Sequence, residues 1–144
     1  MRVVELMKRD PEWLTLHATC RDAARRMRDA NIGFLPVCDR DAHVLGTITD
    51  RDITIRLVAE AKEADLPISD LMTREIVSCH ADDDLSRAEQ IMATSQKSRL
   101  VVVDEDDRLV GVLSLSDVVE HDREHAAETV ARVAARETGV PLPH

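Results

Sequence analysis

Aromatic residues are scarce in this chain: one Trp (Trp13), one Phe (Phe34) and no Tyr in 144 residues. Proteins that stack single-stranded nucleic acid need more rings than that. Charge points the same way. Against 19 Lys and Arg stand 28 Asp and Glu, and a net charge of −9 repels nucleic-acid phosphates and anionic lipid alike. Apolar runs reach only about four or five residues, far short of a membrane span. The segment Met1-Arg2-Val3-Val4-Glu5-Leu6-Met7-Lys8 carries charge every few residues and lacks the apolar stretch of a secretory signal, so the expected location is the cytoplasm. Four glycines leave no Gly-rich phosphate loop. Three cysteines, Cys20, Cys38 and Cys79, are odd in number and unpaired in spacing, which excludes a disulfide framework and predicts buried, free thiols. No Ser-His-Asp or Cys-His arrangement stands out, so no catalytic role is expected.

What is present is a repeat. At an offset of 65 residues Met27 answers Met92, Leu35 answers Leu100, Val37 answers Val102, and Asp39 answers Asp104. Gly46 likewise answers Gly111, Asp52 answers Asp117, and Leu6-Met7 answers Leu71-Met72. His17-Ala18 meets His80-Ala81 only at offset 63, as compensating changes in two connections would produce. The chain therefore reads as a tandem duplication of roughly 60 residues. Each copy predicts a short lead-in helix ending near Met7 or Met72, and a brief strand (Trp13 to Leu16, or Ile76 to Cys79). A helix follows, from about Cys20 to Ala30 or after Asp82-Asp83-Asp84, whose carboxylates suit a helix start by capping and dipole. Two strands joined by an acidic turn come next, Phe34 to Cys38 with Val44 to Thr49, or Leu100 to Val103 with Leu109 to Ser114. A final helix opens at Asp50 or Leu115, and the second is expected to run unbroken to about Glu137, before Gly139-Val140-Pro141.

The expected fold is thus α/β of the α+β type: two β-α-β-β-α repeats packed face to face as one pseudo-twofold module, with an extended C-terminal helix. The divisions are 1–64, 65–123 and 124–144, and Glu63-Ala64-Asp65-Leu66-Pro67 joins the repeats.

Within each repeat one stretch carries chemistry. Gly46-Thr47-Ile48-Thr49-Asp50-Arg51-Asp52 and Gly111-Val112-Leu113-Ser114-Leu115-Ser116-Asp117 both read Gly-x-x-(Thr/Ser)-x-x-Asp. Thr49 with Asp52, and Ser114 with Asp117, fit a capping box, worth about 1 kcal/mol to a helix and needing no ligand. The same geometry suits a ribonucleotide: a helix N-terminus and a hydroxyl for phosphate, and a carboxylate for the vicinal hydroxyls of ribose. Arg51 and Arg56 flank the first motif; Lys97 and Arg99 precede the second. Recurrence of the whole set favours the ligand.

These repeats, with the run Ile32-Gly33-Phe34-Leu35-Pro36-Val37 and the motif from Gly46 to Asp52, resemble a pair of CBS domains, or Bateman module, over residues 1–123. The resemblance implies two clefts that bind AMP, ADP, ATP or S-adenosylmethionine as a regulatory ligand, with no cofactor required. It assigns Asp52 and Asp117 to the ribose, and Thr49 and Ser114 to the phosphate side, with Arg51 beside them. Thr15, Ser78, Phe34, Leu35, Pro36, Arg99 and Val101 would line the base. The second repeat departs at Val101, where the first has Pro36, and at Ser116, where the first has Arg51.

His121 and His125 have the spacing of a two-histidine metal site, but no third ligand stands at an obvious distance, so no metal is expected. His17 and His80 read as polar turn residues. Val119, Ala126, Val130 and Val133 form a heptad-like stripe, open to two readings: packing within the chain, or docking on a second copy. The functional expectation is a non-catalytic module that senses an adenosine ligand and signals through an effector protein in trans or through homodimerisation. The alternative is a ligand-free interaction module in which both boxes only cap helices.

Overall fold

The computed structural model describes residues 1–139, without the side chains of Glu124, His125, Glu137 and Thr138. The chain divides into two compact units. One holds residues 12–76; the other joins residues 1–11 to the chain from Val77 onward. These spatial units cut across the sequence repeats, because each repeat's lead-in packs with the other repeat.

In the unit of residues 12–76, strands β2 (Leu14–Thr15), β3 (Phe34–Cys38) and β4 (Val44–Thr49) form a sheet of order β2-β3-β4. Helix α1 (Cys20–Ala30) bridges the parallel pair β2 and β3. It starts on a capping box, Thr19 Oγ1 accepting from Asp22 N–H while the Asp22 carboxylate accepts from Thr19 N–H. It ends on Asn31 in the left-handed region (φ 54). Helix α2 (Asp50–Asp52) continues as a π-helical segment, Ile53–Val58. The core, Leu14, Leu35, Val37 and Ile48 with Ala23 and Met27 of α1, is completed by Ile68, Leu71 and Met72 from the second repeat's lead-in.

The other unit repeats this plan. Its sheet runs β1-β7-β6-β5, from β1 (Lys8–Arg9), β5 (Ser78–His80), β6 (Arg99–Val103) and β7 (Leu109–Ser114). Helix α3 (Leu85–Ser95) bridges β5 and β6, and Val3 and Met7 from the first repeat's lead-in enter its core. At the start of α3, Asp84 makes no side-chain cap bond, contrary to the capping expected of the Asp82–Asp84 run. The Leu85 N–H donates instead to Met1 O. The mirror of this is Cys20 N–H and Arg21 N–H donating to Leu66 O and Ala64 O.

Two further expectations change. The lead-ins are single 3-10 turns, Val3–Glu5 and Ile68–Asp70, and the first strands are shorter or shifted. The last helix is not continuous. Helix α4 (Leu115–His121) stops at Asp122 (φ −140, ψ 78), and α5 (Arg123–Thr138) follows and packs on α3. Ala126, Thr129 and Val133 are buried there, so most of the stripe packs within its own unit, and only Val130 stays exposed. Among the described residues no helix is long and apolar enough to cross a membrane.

Candidate functional site

Each lead-in passes directly over the glycine of the other repeat's motif. Thr73 and Thr47 exchange both backbone bonds at 2.9 Å, and Lys8 pairs with Val112 in the same register. A Cβ on Gly46 would stand 2.8 Å from both Met72 Sδ and Thr73 O; one on Gly111 would stand 2.6 Å from Met7 Sδ and 2.9 Å from Lys8 O. The motif therefore opens on glycine because another backbone lies against it.

From that glycine the strand alternates. Leu14, Leu35, Val37 and Ile48 face the core. Pairing of Phe34 with Thr49, Pro36 with Thr47 and Thr15 with Cys38 puts Thr15, Phe34, Pro36, Thr47 and Thr49 on the opposite face. Five of the residues expected to form the first site thus gather at one sheet face and the helix start beyond it: Thr15, Phe34, Pro36, Thr49 and Asp52. Leu35 does not join them, since alternation turns it, fully buried, into the core. Arg51 is exposed on the first turn of α2. Thr47 shares the face, and its place opposite Pro36 in the register is the signal that finds it.

The second unit repeats the layout. Ser78 pairs with Val101, Val101 with Val112, and Arg99 with Ser114, so Ser78, Arg99, Val101 and Ser114 share a face, while Cys79, Leu100, Val102 and Leu113 fill the core.

At the helix starts both boxes are formed. Asp52 N–H donates to Thr49 Oγ1 (3.0 Å), and Thr49 N–H to Asp52 Oδ2 (2.9 Å). The other carboxylate oxygen, Oδ1, lies 3.8 Å from Arg56 Nη2. Arg56 Nη1 donates to Leu71 O at 2.7 Å, so this guanidinium is tied to the lead-in, a role its place in the sequence did not reveal. In the second unit Ser114 Oγ donates to Asp117 Oδ2 at 2.6 Å and lies 2.9 Å from Ser116 Oγ. A hydroxyl network thus stands where the first unit has Arg51.

The remaining candidates are ordinary by this geometry. Burial pushes the Cys38 and Cys79 thiols up to about 12 and also raises Cys20, so all three stay protonated and unreactive at neutral pH. Asp39, Asp41 and His43 bring three possible metal ligands within 4.8 Å of one another in the β3–β4 turn. Asp39 Oδ1 accepts from Asp41 N–H and His43 N–H there, and the His43 N–H is the main cause holding the Asp39 carboxyl below its usual value. Asp104 builds the same turn with Asp106 and Arg108, where a cation replaces the histidine, so the turn itself needs no metal. Of the His121–His125 pair, the His125 side chain lies outside the described residues.

Comparison with known proteins agrees with this architecture. The chain is 37% identical over 100 residues to the CBS domain-containing protein YhcV of Bacillus subtilis, covering 69% of this chain and 70% of that one. The structure of the CBS domain protein TA0289 from Thermoplasma acidophilum matches with a TM-score of 0.83 at 24% identity, over 96% of this chain and 77% of that one. The CBS domain pair of protein MJ0100, solved with 5′-methylthioadenosine and S-adenosyl-L-methionine, matches with a TM-score of 0.76 at 26% identity, over 84% of this chain and 98% of that one. The family model for the CBS domain matches twice, at residues 3–59 and 68–124, which are the two repeats with their lead-ins, and the chain belongs to the CBS domain family.

Proposed function

We propose that the chain is a non-catalytic regulatory module that binds an adenosine ligand at the Thr49–Asp52 motif, with the Ser114–Asp117 motif as a second, chemically different site. The observation that carries this reading is the gathering of Thr15, Phe34, Pro36 and Thr49 on one sheet face beside a carboxylate with one oxygen committed to the cap and the other at 3.8 Å from a guanidinium. In this reading Asp52 Oδ1 would accept from a ribose hydroxyl while Oδ2 keeps the cap bond. Arg51 at the first site and Arg99 at the second each offer a cation to an anionic ligand, and the Ser114–Ser116–Asp117 network adds hydroxyls at the second. Binding of such ligands by the related MJ0100 pair supports the class.

Output would run through an effector protein in trans or through a homodimer, since a ligand acts only by favouring one arrangement over another. The exposed Ile55, Val58 and Val130 offer apolar surface for either contact. Three free thiols are consistent with a reducing, cytoplasmic setting. Neither nucleic acid nor membrane is a partner in this reading.

A second reading keeps both boxes as caps alone, in a ligand-free interaction module, and the formed cap bonds favour it. Calorimetric titration of the full chain with AMP, ATP and S-adenosylmethionine separates the two. Saturable binding weakened by Asp52→Ala is expected, and indifference to the whole panel would leave only the caps.

A further inference from the structure

Arg56 reaches both the motif carboxylate and the lead-in crossing it. Its Nη1 donates to Leu71 O at 2.7 Å, and its Nη2 stands 3.8 Å from Asp52 Oδ1. Leu71 is fully buried, Met72 after it roofs Gly46, and Thr73 pairs with Thr47 through both backbone bonds. One guanidinium thus joins the candidate ligand carboxylate to the segment that carries the chain from the first repeat into the second.

The backbone around Arg56 is unusual in the same place. Ala59 N–H donates to Thr54 O, a spacing of five residues, at the end of the π-helical segment Ile53–Val58. Such segments are uncommon and tend to mark functional positions. The second repeat, otherwise a close copy, has neither feature: α4 is an ordinary α-helix, and the residue at the matching position is the exposed His121. Among the described residues His121 makes no bond to Leu6, the counterpart of Leu71.

We infer that Arg56 is a positioning residue that couples occupancy of the first site to the Leu71–Thr73 lead-in, and that the two units are unequal: the first is responsive, the second is not. This rests on the reading of Asp52 as the ribose acceptor. A diol that donates to Asp52 Oδ1 draws on the charge that attracts Arg56 to that oxygen, 3.8 Å away, and so weakens the ion pair. The guanidinium then either turns fully to Leu71 O or leaves it, and both change how firmly the lead-in is held.

Hydrogen exchange of the full chain tests this in two arms. Without ligand, Arg56→Gln should speed exchange of the Thr73 amide about threefold to tenfold, the range for loss of a charged hydrogen bond at a half-exposed guanidinium. Arg56→Lys should fall between, since an ammonium cannot span both acceptors. His121→Gln should leave the Lys8–Arg9 strand unchanged. The effects of Arg56→Gln and Asp52→Asn should be non-additive, which a purely structural contact to Leu71 would not produce. With AMP at saturation, exchange at Leu71–Thr73 should change in the wild type and not in Arg56→Gln at matched occupancy. Unchanged Thr73 exchange in ligand-free Arg56→Gln overturns the link, whatever binds. AMP binding that leaves Leu71–Thr73 unaltered overturns the coupling while the ligand reading stands. Failure of every adenosine ligand to bind removes the ligand reading and the coupling with it, and the ligand-free arm then shows whether the tie to Leu71 exists on its own.

Discussion

Gly46 and Gly111 illustrate how a single missing side chain is fixed by its surroundings. Backbone carbonyls and methionine sulfurs lie within 3 Å of where their Cβ atoms would go. Gly46→Ala should therefore destabilise the protein by about 1–3 kcal/mol, the usual cost of forced overpacking, as read from urea unfolding. Asp22 makes a prediction of a different kind. Its carboxyl is held below its ordinary 3.8 first by the Thr19 N–H and then by the Thr19 side chain. A depressed folded-state value stabilises the protein above the unfolded value, and that stabilisation disappears as pH falls through the folded one. The stability difference between wild type and Asp22→Asn should be constant above about pH 4 and shrink below it. A constant difference down to pH 2 would show that the box does not depend on charge.

At the scale of elements, the exchange of lead-ins organises each unit. Leu71 belongs to the second repeat by sequence and to the first repeat's core by packing, where it is 1% exposed. Leu71→Ala should cost about 2–5 kcal/mol and should loosen β3 and β4 rather than β6 and β7, as amide exchange would show. Local pattern made most elements legible. Short apolar runs mark the strands, the capping boxes mark helix starts, and the acidic turns mark the hairpins. What it could not reveal was long-range partnership. The carbonyls that close the starts of α1 and α3 come from Leu66, Ala64 and Met1, and nothing near Asp84 announces that a distant backbone replaces its cap. The break at Asp122 is of the same kind, since it serves the packing of α5 on α3. Among site residues, strand alternation already separates Leu35 from Phe34 and Pro36 once the core face is known. The tie from Arg56 to Leu71 spans fifteen residues and has no local signature.

For the whole molecule, duplication supplied two motifs and divergence made them unlike. Arg51, Arg56 and Pro36 of the first repeat correspond in sequence to Ser116, His121 and Val101 of the second. If output runs through self-association, light scattering at micromolar concentration should give twice the 16.1 kDa chain mass, and a clean monomer with and without ligand would leave only an effector in trans. The central claim is narrower: Asp52 reads the ribose of an adenosine ligand. Calorimetry of AMP against 2′-deoxy-AMP, on wild type and on Asp52→Ala, tests it most directly. Wild type should lose about 1.5–3 kcal/mol of affinity with the 2′-hydroxyl, roughly tenfold to a hundredfold, whereas Asp52→Ala should bind both ligands equally weakly. Equal binding of the two ligands by wild type, or the same discrimination retained without Asp52, would contradict it.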